Sequence, residues 1–240
     1  MTVAAIDRPN PIQVVERRIA GQVNALRPTR GVRRAIRALR SECQVWWRHT
    51  RAVRRAARSG HHLDLRLHLG CGACHKPGWV NIDLYHPNAD LQLDLREPWP
   101  FANGSSVYIY SEHVFEHFGI DREVPHVLHE AFRILRPGGV FDVGVPDTEW
   151  CIHAYGRPDD EYWRLRGTWH PAWCDTHLDS INYHFRQDGE HLWAWDEESL
   201  RRTLTKAGFV DVERRTFDSA LDSERRRHGT LYMRARKPTR

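Results

Sequence analysis

The chain has 240 residues, 40% of them hydrophobic, which allows one full core and an appendage and leaves little room for two complete enzyme domains. No apolar stretch reaches the roughly 18 residues that cross a bilayer, and the opening Met1-Thr2-Val3-Ala4-Ala5-Ile6-Asp7 lacks the pattern of a secretory leader, so a cytoplasmic location is expected. The net charge of +5 is unevenly spread: residues 1–60 hold 14 Arg, no Lys and three acids, a net +11, and the remaining 180 residues carry −6.

In chain order, Pro9, Pro11, Pro28 and Gly31 leave room upstream only for a short helix around Ile12 to Leu26. Between 31 and 58, Val32, Ile36, Leu39, Cys43, Trp46, Thr50, Val53 and Ala57 recur at spacings of four and three, an amphipathic helix with Arg around much of the rest of its circumference. Residues 1–60 therefore read as an Arg-rich helical extension. Its stripe could pack on the rest of the chain or a second copy, lie on the inner membrane surface through residues 31–58, or grip nucleic acid, and charge alone does not choose among these.

From residue 63 short apolar runs alternate with helical stretches, which predicts an α/β fold with a largely parallel sheet over 61–240. Strands are expected near Leu65–Leu69, Trp79–Asp83, Leu91–Asp94, Val107–Tyr110, Gly139–Val145, Phe209–Phe217 and Thr230–Ala235, seven in all. One helix is expected over Asp121–Leu135, stopped by Arg136-Pro137-Gly138-Gly139. Another begins after Asp196, a good N-cap, and ends near Lys206, with Gly208 suited to the C′ position. Five cysteines, at 43, 71, 74, 151 and 174, are an odd number and suggest free thiols.

The chemistry-bearing residues collect at expected strand ends. Leu67-His68-Leu69-Gly70-Cys71-Gly72 is an apolar strand entering a Gly-x-Gly turn, where backbone can approach a ligand closely. Asp83 ends the second strand, where a carboxylate can accept from ribose hydroxyls, and Asp94 with Leu95 ends the third, where an adenine amino group can be met.

Together with Gly78-Trp79-Val80-Asn81-Ile82-Asp83, Trp99-Pro100-Phe101, Ser111-Glu112-His113-Val114-Phe115-Glu116-His117, Leu135-Arg136-Pro137-Gly138-Gly139, Val145-Pro146-Asp147 and Ala207-Gly208-Phe209, these pieces resemble, in order, the class I S-adenosylmethionine-dependent methyltransferases, in particular their small bacterial methyltransferase-domain group. The resemblance covers about three quarters of the chain. It implies a Rossmann-like seven-stranded, mostly parallel sheet flanked by helices, and S-adenosyl-L-methionine as cofactor. On these positions it places Gly70, Cys71 and Gly72 along the methionine and ribose, Asp83 on the ribose hydroxyls, Asp94 and Leu95 on the adenine, and Ser111, Glu112 and His113 on the floor where donor meets acceptor. Ten residues between Gly72 and Asp83 are too few for the family's usual helix, so a loop or single turn is expected there.

Two runs invite metal or haem readings. Cys71-x-x-Cys74-His75 has no second Cys pair, and His113-x-x-Glu116-His117, an inverted zinc-peptidase pattern, follows a strand inside the methyltransferase order. No metal is expected. The stretch 148–195 holds six of the ten Trp and five of the sixteen His, and it reads either as an acceptor-binding insert or as an aromatic minicore under a long loop. His113, His184 and His191 are the candidate bases.

The reaction expected is O-methylation of a sugar or other small hydroxylated metabolite. An Asn/Asp-Pro-Pro-aromatic tetrad is missing after the fourth expected strand, which argues against methylation of base amino groups. An RNA or other nucleic-acid methyltransferase using the basic helix, and a non-catalytic cofactor-binding protein, are the alternatives.

Overall fold

A computed structural model describes residues 29–58 and 63–239. The expected helix near Ile12 to Leu26 lies outside the described residues. The chain divides into a unit ending at Gln44 and a unit running from Val45 to Arg240. In the first, the described residues from Arg30 form the exposed start of helix α1 (Arg30–Arg58). In the second, the rest of α1 buries Val45 and Ala52 and packs Val53 and Ala56 on the core, while Trp46 is exposed. The stripe read from sequence therefore turns here, with Val45 and Ala52 on the packed side in place of Trp46.

Among the described residues, six strands form one sheet: β1 (Leu65–Leu69), β2 (Val80–Ile82), β3 (Ser106–Glu112), β4 (Leu135–Pro146), β5 (Val210–Arg215) and β6 (Thr230–Arg236), in the order β2-β1-β3-β4-β6-β5. The first four are parallel, and β6 runs antiparallel between β4 and β5. This is the Rossmann-like arrangement the sequence implies, with one correction. Leu91–Asp94 forms no strand, only a single bridge from Leu91 to Ile82, which leaves six strands rather than seven. The reason is local. Asp94 accepts from the Arg96 N–H two residues on at 3.0 Å, and Asp90 takes the Asn81 N–H at 2.8 Å, so side chains capture the groups a ladder would use.

The strand period of two separates two unlike faces. Leu67, Leu69, Ile109, Phe141, Val143, Met233 and Ala235 share one face and are fully buried. In the same core lie Val124, Val127, Leu128, Ala131 and Ile134 of α2 (Glu123–Ile134) and Leu200 and Leu204 of α6 (Glu197–Lys206). Both helices stand within a residue or two of where periodicity placed them. Asp196 caps α6 in a reciprocal capping box with Ser199, and Gly208 follows the C-cap Ala207 with φ +99°.

The opposite face carries His68, Tyr110, Asp142, Arg234 and Tyr232. The short link after β1 forms turns rather than a helix, as its length dictates, and leaves this face to a polar network. Asp142, fully buried, accepts from Arg234 at 2.7 and 2.8 Å and from the Tyr108 hydroxyl at 2.5 Å, and Arg215 stands 3.3 Å away. Trp79 packs edge-on against Tyr108, and the Lys76 ammonium lies 4.6 Å above the Tyr110 ring.

Between β4 and α6 the chain forms α3 (Thr148–Tyr155), α4 (Glu161–Leu165) and α5 (His177–Arg186), and returns to the sheet edge where Trp195 bridges Asp147. Cys151, Ala154 and Tyr162 make a second small core with Trp150, Trp163 and Trp169 against it. These three tryptophans are thus structural, the minicore reading of the insert.

Replacing one partner of a buried ion cluster leaves the others uncompensated, at a cost of about 3–5 kcal/mol. Asp142→Leu should therefore lower the urea midpoint by an amount corresponding to that range, and a shift under 1 kcal/mol would mean that solvent already compensates Arg215 and Arg234.

Candidate active site at the carboxyl ends of the parallel strands

The connection from β1 leads to β2 on one side and that from β3 leads to β4 on the other, so a crevice opens beyond the carboxyl ends of these strands. The glycine bend lies there. Gly70 has φ +63° and Gly72 φ +48°, a region that glycine enters without penalty. They differ in surroundings. A Cβ on Gly70 would fall 2.2 Å from the Val114 side chain, whereas one on Gly72 would meet nothing within 4 Å. Gly70 thus admits the loop after β3, and Gly72 faces open space.

Asp83 pins this bend. Its Oδ2 accepts from the Gly72 N–H at 2.9 Å, and its Oδ1 accepts from the N–H groups of Tyr85 and His86, each at 2.8 Å. A carboxylate offers about four acceptor sites, so one on Oδ2 is left for a ligand. Cys71 is buried, and its N–H donates to the Ile82 carbonyl at 3.0 Å. Burial, with the charges of Asp83 and Asp90, pushes its thiol up to about 12, so it is no nucleophile at neutral pH.

Asp94 is buried and its two oxygens are engaged bidentately by Arg96, at 2.9 and 2.8 Å. Burial raises its pKa, but the Arg96 hydrogen bonds outweigh that and hold it below the usual carboxylate range. Leu95 is buried, with its carbonyl accepting from the Trp99 indole at 3.0 Å. At the end of β3, the Ser111 hydroxyl is buried without a hydrogen-bond partner. Glu112 accepts from the Tyr232 hydroxyl at 2.9 Å and from the Ser223 N–H at 3.2 Å, while its carbonyl takes Arg226 at 2.7 Å. The segment joining β5 to β6 thus reaches back to the crevice, a contribution from Asp222, Ser223 and Arg226 that carries no sequence pattern. Only the density of charge in Asp222-Ser223-Glu224-Arg225-Arg226-Arg227 could have signalled it.

Just beyond β3, His113 takes φ +55° and Phe115–His117 forms a single 3-10 turn, so the His-x-x-Glu-His run is not the α-helix a zinc peptidase would need. Backbone bonds lock this turn to the end of the insert. The Glu116 carbonyl accepts from the N–H groups of Leu192 and Trp193 at 2.7 and 3.1 Å, and the His117 Nδ1–H donates to the Glu190 carbonyl at 3.0 Å. The result brings His113, Glu116, His117 and His191 together. His113 Nδ1 stands 3.5 Å and His117 Nε2 3.9 Å from Glu116 Oε1, and the His117 and His191 rings meet edge to face at 5.2 Å.

Burial pushes the Glu116 carboxyl up to about 8, and both of its oxygens lack a hydrogen-bond partner. Burial and then the Arg226 charge hold His113 well below its ordinary value, and burial lowers His191. The third candidate base, His184, is buried against the Thr148 hydroxyl at 3.2 Å, and burial lowers it to about 3. Its carbonyl accepts from His191 Nδ1 at 2.7 Å, which orients the His191 ring. Two cavities flank this region. One, of about 480 Å³, is lined within the insert by Trp173, Asn182, Tyr183, Arg186, Asp188 and His191. The other, of about 550 Å³, lies between α2 and α6 under Trp193.

The fold and this strand-end crevice define a Rossmann-like enzyme domain of the nucleotide-binding type. The chain belongs to the methyltransferase-domain family, whose model matches residues 50–214. No curated protein matches it. Among solved structures, a "possible exported protein" of Bordetella parapertussis is 18% identical, with 80% of this chain and 67% of that chain covered and a TM-score of 0.45. Phosphoethanolamine N-methyltransferase 2 of Haemonchus contortus, in complex with S-adenosyl-L-methionine, is 14% identical over 75% of this chain, with a TM-score of 0.45. The chain spans half (50%) of that enzyme's length. A SAM-dependent methyltransferase of Archaeoglobus fulgidus is 14% identical, with 77% and 91% coverage and a TM-score of 0.43.

His68 lies under the bend, buried beside Asn81, and burial together with the Lys76 charge lowers it to about 3. The unfolded chain therefore binds a proton near pH 6.5 that the native state refuses, and stability falls as pH drops from about 6.5 toward 3, by about 1.4 kcal/mol per pH unit. The total slope between urea melts at pH 5 and pH 7 should contain this contribution beside those of His113, His184 and His191, which burial also lowers. His68→Asn should reduce it by that amount, and an unchanged slope in the variant would assign the loss to other groups.

Proposed function

We propose that the chain is an S-adenosylmethionine-dependent methyltransferase that O-methylates a sugar or other small hydroxylated metabolite. The observation that carries the cofactor reading is the bend at Gly72, open on its outer side and tied to Asp83 at the switch point of the sheet. The adenosine would lie along Gly70, Cys71 and Gly72, with Asp83 taking a ribose hydroxyl on its spare lone pair. The adenine would reach the Asp94–Leu95 turn, through Leu95 and backbone, since the Asp94 carboxylate is engaged by Arg96. The methionine end would face Ser111, Glu112 and His113.

Methyl transfer is an in-line displacement: the acceptor oxygen forms the new bond to the methyl carbon as the carbon–sulfur bond breaks, leaving S-adenosylhomocysteine, and the hydroxyl proton goes to the protein. The histidine cluster is where that proton is taken, with His113 and His191 neutral at physiological pH and His184 holding His191 in place. The insert cavity bordered by His191, with Trp173, Tyr183 and the polar Asn182, Arg186 and Asp188 on its walls, supports a small polar acceptor. RNA is the alternative acceptor, favoured by the exposed arginines of α1, and the same arginines beside exposed Trp46 and Trp47 support contact with an anionic membrane surface.

Calorimetry should find one S-adenosylmethionine site per chain, weakened by about 1–3 kcal/mol in Asp83→Ala. No binding by the folded wild-type protein would refute the assignment. With labelled donor, single turnovers on panels of glycans, phenols and RNA separate the acceptors. His191→Gln should lower the rate about 10²-fold or more with cofactor affinity unchanged, and labelled RNA with a steep salt dependence would replace the small-molecule reading.

A further inference from the structure

The cluster beyond β3 has an imbalance of donors and acceptors. Glu116 is 1% exposed, and neither of its carboxylate oxygens meets a hydrogen-bond donor. The histidines around it cannot supply one. His117 Nδ1 and His191 Nδ1 both face backbone carbonyls, of Glu190 and His184, so these nitrogens carry the ring protons and each Nε2 is left with a lone pair. His113 is constrained in the same way. The Thr230 hydroxyl donates its proton to the Arg226 carbonyl, so His113 Nε2, 2.9 Å away, must donate to Thr230. That leaves His113 Nδ1 as a lone pair 3.5 Å from Glu116 Oε1. Arg226, whose Nη1 donates to the Glu112 carbonyl, makes no hydrogen bond to Glu116 and acts on it through space. The lone pairs of His113 Nδ1 and His117 Nε2 thus stand 3.5 and 3.9 Å from Glu116 Oε1, and no hydrogen bond joins them.

We infer that Glu116, His117 and His191 form a binding site for a divalent cation of the zinc class. Their ligand atoms already lie within 4.8 Å of one another. Around a tetrahedral ion with bonds of about 2.0–2.1 Å, donors stand roughly 3.4 Å apart, so binding needs the three to close by up to about 1.4 Å. Two nitrogens and one carboxylate oxygen suit zinc, cobalt or iron better than magnesium or calcium, which prefer all-oxygen shells. Each histidine is oriented by a backbone carbonyl on its other nitrogen, the outer-shell pattern of metal-bound imidazole. His117 is about one third exposed, at 35% of its side chain, which gives an ion a way in from solvent. Three protein ligands leave a fourth position open, as in catalytic zinc sites. Under the methyl-transfer reading, on which this role alone rests, that position would take the acceptor hydroxyl and lower its pKa, and His113, whose Nδ1 keeps its lone pair, would take the proton in place of the bound His191.

The test uses the tag-free full-length chain, stripped with chelator and titrated with Zn²⁺ by calorimetry and with Co²⁺ by visible absorption, without cofactor or acceptor. One ion per chain is expected, with the intense d–d bands of a low-coordinate Co²⁺ site. Glu116→Gln and His191→Gln should each weaken binding at least ten-fold, and Cys74→Ser should leave it unchanged. Far-ultraviolet circular dichroism and S-adenosylmethionine calorimetry report whether each variant keeps its fold. Absence of one-to-one binding in the wild type, or unchanged binding in both folded ligand variants, overturns the inference. If S-adenosylmethionine still binds in that case, the methyltransferase reading stands while the cation site falls.

Discussion

A single hydrogen bond, from the Gly72 N–H to Asp83 Oδ2 at 2.9 Å, joins the loops that leave the two adjacent strands β1 and β2. It can form because Gly72 takes a positive φ and because Asp83 directly follows β2, whose Ile82 pairs with Leu69 in register. Asp83 in turn draws in the N–H groups of Tyr85 and His86. One carboxylate therefore shapes both walls of the crevice before any ligand arrives, which is pre-organisation in the sense that the ordering cost is met during folding.

The sheet is lopsided around that crevice. One face packs on α2 and α6 as an ordinary apolar core, while the other is a charged network centred on Asp142, Arg215, Arg234 and Asp222. This follows from the shortness of the chain between Gly72 and Asp83, which cannot carry a covering helix. With no helix to bury an apolar face, His68, Tyr110 and Tyr232 stand where leucines would otherwise be expected, and the segment from Asp218 to Arg226 closes over them. That segment also carries Arg226 to Glu112, so the network that stabilises the second face shapes the floor of the site.

Much of this was legible in the sequence, because period and punctuation are local signals. Helices α2 and α6 showed their 3.6-residue stripes and their caps, and the strand-end glycines and Asp83 could be placed by order alone. The third expected strand failed because Asp90 and Asp94 spend their carboxylates on nearby N–H groups, a local competition that apolar content does not reveal. The buried face of α1 was misjudged at Trp46, since a stripe that includes Thr50 and Cys43 does not fix the helix's rotation. In the insert, Trp150 and Trp163 serve the minicore while His191 reaches the turn at Glu116 and His117, a division set by tertiary contacts. Glu116 and His117 were visible as a motif, yet their meaning depended on His191, 74 residues later in the sequence, reaching the same spot.

The most direct test of the central claim is a crystal structure with S-adenosylhomocysteine. The account predicts the adenosine along the Gly70–Gly72 bend, a ribose hydroxyl on Asp83 Oδ2, and the sulfur turned toward Glu112 and His113. Density for the ligand elsewhere, or a bend that stays closed against it while the ligand binds at another surface, would contradict the account.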